Sequence, residues 1–407
     1  MIRAREAHAV ALFLFFSASL ISLLGCSESE RPLFSDSIIP ALIRFHMNDS
    51  TISEFFGERD GGQWVLYNGE ETIRLRPIND TLWRVPVFSG VWMLRPSADK
   101  STYTGRWVDS LRPWDDGAYN VPLSVSLEQK PKSNQGVDSL LLNGTWDVWF
   151  GGEKTGGTDA QLDIHNQRGR LSGTMRTPTG DYRYLTGTCV DGKLKLQTFD
   201  GAHLYLFTAT YDNGQWNDGI FFSGNHYATE WFGRRAEATQ DEGQMEVLDV
   251  SDEDLTATFI NRSGQTDTLS LVSDSLIVLD VLGTWCPNCM DEVHLLAGLT
   301  KPGVRFISLA FERDTAAYLA YQRLDDFASQ MQMGWEIYLG GKANKRVAAN
   351  AFPFLNRVTS FPTTLFIRGN QVVVHSGFNG PATGLRYQSE RKRFTDQLGS
   401  ITSLESH

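Results

Sequence analysis

Residues 275–281 form an apolar run rich in Ile, Val and Leu that stops at Gly283 and Thr284. Apolar positions then recur at helical spacing from 287 to 299, with Trp285-Cys286-Pro287-Asn288-Cys289 at the changeover. A strand without polar alternation needs cover on both faces, so a buried strand running directly into a helix commits its surroundings to an α/β layer. The C-terminal stretch continues in the same manner. Strands are predicted at 304–310 and 335–339 and helices at 316–331 and 342–352. A strand pair follows at 363–367 and 372–375 around Gly369-Asn370, then a closing helix at 385–398.

The two cysteines at the changeover carry chemistry. With Cys286 at the N-cap, Pro287 becomes the first helical residue, where its missing N–H leaves no bond unmade and its fixed φ suits helix entry. Unpaired N–H groups and the positive end of the helix dipole then favour a thiolate at Cys286, which lowers its pKa and makes it the attacking nucleophile. Cys289 lies one turn deeper, placed to resolve a mixed disulfide. Three other readings compete: half of a zinc site, a structural disulfide, or two inert core thiols. A zinc site wants two more Cys or His ligands at motif spacing, and the sequence offers none. A disulfide closing so small a loop adds little stability. A redox-active dithiol is therefore the expectation, with no cofactor beyond it.

Upstream, from 41 to 236, apolar and polar residues alternate between turn signals. Leu162 and Ile164 alternate with Asp163 and His165, and Leu194 and Leu196 with Lys195 and Gln197; Asp191-Gly192, Asp200-Gly201 and Asn213-Gly214 mark breaks. Turns recurring every 8–12 residues or so predict an all-β sandwich or barrel. Gly144-Thr145-Trp146 opens the second half and resembles, over three residues, the start of lipocalin-like barrels. The earlier half, with Trp64, Trp83, Trp92, Trp107 and Trp114, is either a separate subdomain divided near 140 or an extension of the same sheet. Aromatic residues in short strands are core material first, so no ligand is assigned to them. His165, His203 and His226 match no zinc spacing, and no metal site is expected. Residues 237–245 are polar and aperiodic and read as a linker to a unit at 246–407.

The N-terminus reads as a processing signal. Arg3 and Arg5 precede an apolar run from Val10 to Leu24, shorter than the roughly 20 residues that span a bilayer. It ends in Leu23-Leu24-Gly25-Cys26, which resembles the bacterial lipobox and implies that Cys26 is lipidated and becomes the mature N-terminus. An ordinary cleaved signal with an incidental cysteine is the alternative. Residues 26–40 then form a polar tether reaching at most about 45 Å. With Cys26 set aside, Cys189, Cys286 and Cys289 remain of the four cysteines, an odd set in which Cys189 is expected to be a buried thiol. Lysine and arginine number 37 against 48 acidic residues, a formal net charge of -11. No basic patch offsets it, so no nucleic-acid partner is expected.

Residues 246–404 resemble the thioredoxin superfamily, and within it the membrane-tethered, extracytoplasmic TlpA and ResA-like thiol-disulfide oxidoreductases. Besides the strand, the Trp-Cys-Pro-Asn-Cys turn and the helix, Ser360-Phe361-Pro362-Thr363-Thr364 is similar to that family's cis-proline loop. With the β pattern upstream, the resemblance makes the expected chain multidomain: an all-β N-terminal region, sandwich or barrel, followed by an α/β thioredoxin-like fold. It implies a docking surface made by Trp285, Pro287, Phe361 and Pro362, with the Phe361 backbone beside Cys286 to pair with an extended substrate. Asp280 matches the buried acid of thioredoxin, where many TlpA and ResA relatives carry an amide, and would relay the proton of Cys289. Glu292 matches the family's acid three residues after the second cysteine and would tune either thiol. A hydrogen-bonded structural carboxylate is the alternative for Asp280, and a solvated first-turn acid for Glu292. Val293 departs from the proline frequent in relatives, and His294 reads as a surface residue.

The implied function is reduction of disulfides in exported proteins by a dithiol held at the bacterial cell envelope, facing the periplasm, on the inner or the outer membrane. Electrons would come from a membrane thiol relay, with cytochrome c apoproteins or mis-oxidised exported proteins as clients. Two alternatives stay open: a disulfide oxidase or isomerase, since the Pro-Asn pair fixes no potential, and a binding lipoprotein whose β-rich body carries the main function.

Overall fold

The structure, a computed structural model, describes residues 38–112, 117–127, 142–151, 157–167, 170–237, 245–314 and 316–399. The expected leader at 1–25, Cys26, the tether as far as 37, Trp114, the dividing point near 140 and most of the linker lie outside the described residues.

Alternation in the first part produces eight strands: β1 (Ile39–His46), β2 (Ile52–Asp60), β3 (Gln63–Asn68), β4 (Glu71–Asn79), β5 (Leu82–Arg84), β6 (Gly90–Pro96), β7 (Thr102–Asp109) and β8 (Tyr119–Leu127). Each pairs with the next, and β8 returns to β1 from Ala41↔Leu127 to Phe45↔Leu123, so the barrel closes. Closure leaves no strand edge unpaired. Inward positions carry the large rings. Trp64, Trp83, Trp92, Trp107, Phe45 and Phe55 are buried and meet edge to face, as in Trp64–Trp83 at 6.0 Å and Phe45–Trp92 at 5.7 Å. The barrel interior is packed with side chains.

A second sheet is built from β9 (Gly144–Phe150), β10 (Ala160–Gln167), β11 (Arg170–Thr177), β12 (Gly180–Asp181), β13 (Leu185–Val190), β14 (Lys193–Phe199), β15 (Leu204–Asp212), β16 (Gln215–Ser223) and β17 (Tyr227–Arg235). Its order is β10-β9-β17-β16-β15-β14-β13-β11-β12, and β10 also pairs along β11, so this sheet too returns on itself. Asp191-Gly192 joins β13 to β14 and Asn213-Gly214 joins β15 to β16; all four residues have positive φ, as a two-residue hairpin of the I′ type demands. The two β-sheets share a core: Phe199 stacks on Phe45 with ring centroids 4.8 Å apart, and Ala202, Leu204 and Leu206 join the barrel's aromatic cluster.

The third sheet follows the order β18-β25-β24-β21-β22-β23-β19-β20. Its elements are β18 (Glu246–Asp249), β19 (Thr256–Ile260), β20 (Thr266–Ser270), β21 (Leu276–Leu282), α1 (Pro287–Leu299), β22 (Val304–Glu312), α2 (Ala317–Gln330), β23 (Glu336–Lys342), α3 (Lys345–Asn350), β24 (Thr363–Arg368), β25 (Gln371–Ser376) and α4 (Leu385–Gly399). β21, β22 and β23 run parallel, and β24 is antiparallel to β21. Every residue of β21 is buried. Leu276, Val278 and Leu282 pack with residues of α1, α2 and α4, whereas Ile277, Leu279 and Val281 pack with Ala348 and Ala349 of α3. Helices thus cover both faces, as an unalternating strand requires.

Some bounds differ from expectation. β23 runs on through Gly340 and Gly341 across a bulge opposite Ala310 and Phe311, which shortens the helix expected at 342–352 to α3. β18, β19 and β20 were not anticipated as strands. All described residues fall in one compact unit, so contacts alone do not separate an all-β domain from an α/β domain. No helix among the described residues is long and apolar enough to cross a membrane.

Candidate active site

Cys286 is the N-cap of α1, with extended backbone (φ -105°, ψ 112°), and Pro287 follows as the first helical residue. Its sulfur accepts the Cys289 N–H at 3.2 Å, so one of the helix's orphan donors already points at Sγ. Cys286 and Cys289 are joined as a disulfide. Cys286 keeps 6% of its surface exposed and Cys289 none, which leaves Cys286 as the sulfur an incoming thiol can reach. The peptide bond between Phe361 and Pro362 is cis, and the Phe361 carbonyl oxygen lies 3.5 Å from Cys286 Sγ. The rings of Trp285 and Phe361 meet edge to face at 5.5 Å.

The turn before the helix is held by a polar set absent from the sequence reading. Thr284 donates through N–H and Oγ1 to the two carboxylate oxygens of Glu312, both at 2.8 Å, and Arg323 Nε donates to Thr284 Oγ1 at 2.7 Å. Burial pushes the Glu312 carboxyl up, against the pull of its Thr284 bonds and Arg323. Trp285 Nε1 donates to the Phe311 carbonyl at 2.9 Å, and the Arg313 guanidinium sits 5.2 Å over the indole while pairing with Asp109 of the barrel at 3.1 Å. The Trp285 ring is thereby held at its N–H edge and covered by a cation.

Asp280 and Glu292 are fully buried. Asp280 Oδ2 accepts Ser308 Oγ–H at 3.4 Å, and Glu292 Oε1 accepts the Thr364 hydroxyl. The other oxygens, Asp280 Oδ1 and Glu292 Oε2, have no donor. The two carboxyls lie close enough for the charge of one to act on the other. Burial raises both pKa values, and the charge of Asp280 lifts Glu292 further. Burial rules out the solvated-acid alternative for Glu292. Val293 is buried behind the disulfide, and His294 is exposed.

A second cluster flanks the first turn of α1. Arg183 Nη1 donates to the Pro287 carbonyl oxygen at 3.1 Å, Nη2 donates to Glu71 Oε1 at 2.7 Å, and Nη2 pairs with Asp291 Oδ1 at 3.2 Å. Asp181 and Asp200 add their charge to the field around the guanidinium. Burial raises Glu71 and Asp181, and raises Asp291 to about 7 in spite of Arg183. No local motif announced this cluster, whose members come from β4, the segment around β12, the end of β14 and helix α1.

Cys189 is buried and unpaired. His165 is exposed on β10, His203 pairs with Asp200 at 3.0 Å, and His226 meets Arg112 at 2.9 Å within reach of the charge of His203.

No family model matches the chain, and no curated protein matches it. Solved structures do. A putative thiol:disulfide interchange protein DsbE from Chlorobium tepidum is 19% identical, over 38% of this chain and 97% of that one, with a TM-score of 0.27. A secreted Mycobacterium tuberculosis disulfide oxidoreductase homologous to E. coli DsbE is 20% identical over 35% and 99%, with a TM-score of 0.27. A thioredoxin family thiol:disulfide interchange protein from Chlorobium tepidum TLS is 16% identical over 33% and 92%, with a TM-score of 0.24. At such scores these likenesses carry no weight for this chain, whose reading rests on its own residues.

Proposed function

We propose that this chain is a thiol-disulfide oxidoreductase whose residues 246–407 form a thioredoxin-like unit of the TlpA and ResA-like kind. The observation that carries the reading is the first turn of α1, where Cys286 Sγ receives the Cys289 N–H at 3.2 Å and is the more exposed sulfur of the pair. An N-terminal helix donor aimed at sulfur favours the thiolate over the thiol. In the reduced protein the Cys286 thiolate attacks a client disulfide and forms a mixed disulfide, expelling the client's second sulfur. Cys289 then displaces the client sulfur and restores the Cys286–Cys289 bond. Glu292 and Asp280 hold a proton between them close to this chemistry and exchange it with Cys289 as that thiol ionises. Trp285, Pro287, Phe361 and Pro362 form the docking surface, with the Phe361 carbonyl oxygen 3.5 Å from the reacting sulfur.

The same reading places the protein at the bacterial cell envelope. A leader at 1–25 is removed, Cys26 carries lipid, residues 26–40 are a tether, 41–236 a β-rich body and 237–245 a linker. The dithiol faces the periplasm and is its own cofactor. Its clients are disulfide-containing exported proteins, and a membrane thiol relay supplies its electrons. A Cys289→Ser variant made in an exporting bacterial host tests this. It should accumulate mixed disulfides through Cys286, identifiable by mass spectrometry, that Cys286→Ser abolishes. Absence of any mixed disulfide in that host would sink the reading.

A further inference from the structure

Segment 178–183, which leaves β11, forms β12 and leads towards β13, stands on the rim of the dithiol site. A Cβ at Gly180 would lie 2.5 Å from Asn288 Nδ2 and 3.2 Å from the Phe378 carbonyl oxygen. A Cβ at Gly377 would meet the Thr179 carbonyl carbon at 3.2 Å and its oxygen at 3.3 Å. Both glycines have positive φ, and at each a Cβ would press on the facing strip: on the Asn288 side chain and Phe378 carbonyl at Gly180, on the Thr179 backbone at Gly377. The Gly380 N–H donates to Asp181 Oδ2 at 2.6 Å, and Arg183 reaches the Pro287 carbonyl. Pro287 and Asn288 are the two residues between the cysteines, so the segment touches the reactive turn directly.

The Gly377 N–H bonds the Pro362 carbonyl at 3.0 Å, which makes the strip from Gly377 to Gly380 a continuation of the Phe361–Pro362 loop. A polypeptide lying across Cys286 would extend on one side over Trp285 and Phe361 and on the other over Asn288 and this strip. The second side is already taken. The segment occupying it is held by buried charge on Asp181 and Arg183, while only its tip, Pro178 and Thr179, is exposed.

We propose that segment 178–183 is a fixed specificity wall of the dithiol site: it confines a client to the Trp285–Phe361 side and admits a cysteine carried on an extended, locally unfolded segment. A cystine held inside a folded domain has no room to bring its flanking structure over Cys286. This inference rests on the oxidoreductase reading. Two electrons and two protons pass from the Cys286–Cys289 dithiol to one client disulfide, leaving two client thiols and the intrachain disulfide.

The full chain, reduced with dithiothreitol and freed of it, is mixed with three oxidants: glutathione disulfide, a linear peptide carrying one mixed disulfide with glutathione, and native insulin. Rates are read by quenching and counting thiols. The double variant Pro178→Gly, Thr179→Gly should shift the peptide-to-insulin rate ratio about tenfold towards insulin, and Thr179→Trp should shift it away by a similar factor. Both positions are exposed, and circular dichroism confirms that each variant is folded. Ratios within about twofold of the parent in both variants, with glutathione disulfide still consumed, overturn the wall and spare the redox reading. A reduced protein that reacts with none of the three oxidants overturns both.

Discussion

Asp280 on β21 and Glu292 on α1 face each other with no solvent-exposed surface on either residue. Two buried carboxyls cannot both ionise cheaply, so one proton stays between them over a wide pH range. Asp280→Asn removes the charge that lifts Glu292 and lowers the pH at which Glu292 gives up its proton. The resolving step, followed as release of client thiol from a preformed Cys286 mixed disulfide at pH 7, should slow roughly ten- to a hundredfold. The first attack, measured in the Cys289→Ser background, should stay within about a factor of two. Equal slowing of both steps would assign Asp280 a purely structural role.

The thiolate preference of Cys286 predicts its alkylation profile. Iodoacetamide labelling of the reduced protein, followed against pH at Cys286 by mass spectrometry, should show an inflection at least about one unit below the 8.5 of a free cysteine. Cys189, whose pKa burial raises, should remain unlabelled across the same range. An inflection at Cys286 at or above 8.5 or so would remove the basis for calling it the nucleophile.

Asp291 gives a pH signature of its own. Burial raises it to about 7, so the folded protein binds this proton more tightly than the unfolded chain does. Its contribution is whole below about pH 4, the ordinary aspartate value, and is lost as pH rises through about 7. Glu71 and Asp181 are raised in the same direction. Urea unfolding between pH 4 and 8 should therefore show stability falling with pH, and Asp291→Asn should flatten the fall by up to about 1.4 kcal/mol per pH unit. An unchanged slope in the variant would show that another group carries the dependence.

Arg183→Met leaves the Glu71 and Asp291 carboxyls buried without their cation. Breaking such a pair by removing one partner costs about 3–5 kcal/mol, which urea unfolding at pH 7 would register as a lower midpoint with the slope retained. Adding Glu71→Gln and Asp291→Asn to Arg183→Met should restore part of the loss, because neutral amides no longer need a countercharge. A triple variant weaker than Arg183→Met by itself would contradict this account.

The sequence exposed the parts of the site that chain neighbours create. The buried run of β21, the helical spacing after it and the proline at the start of α1 are local patterns, and they locate Cys286, Cys289, Asp280 and Glu292 together. Phe361 and Pro362 were found through a motif, and the fold brings them to Cys286. The β-rich region was legible as strands and turns, but closure was not: β1 meets β8, and β9 meets β17, through pairings that no local alternation encodes. β18, β19 and β20 escaped notice because they are only four or five residues long, and β18 and β20 are largely exposed, which leaves little apolar pattern to read. Arg183 and Glu71 were invisible for a different cause. Each looks like an ordinary charged strand residue until folding sets them beside Asp291.

Phe199 belongs by sequence to β14 of the second sheet, yet its ring fills the barrel made by the first eight strands. Excising either half of the β-rich body would therefore strip aromatic surface from the half that stays. An evolutionary loss or swap of one half would have to replace that ring at the same time, so the two halves are expected to be inherited, and to melt, together.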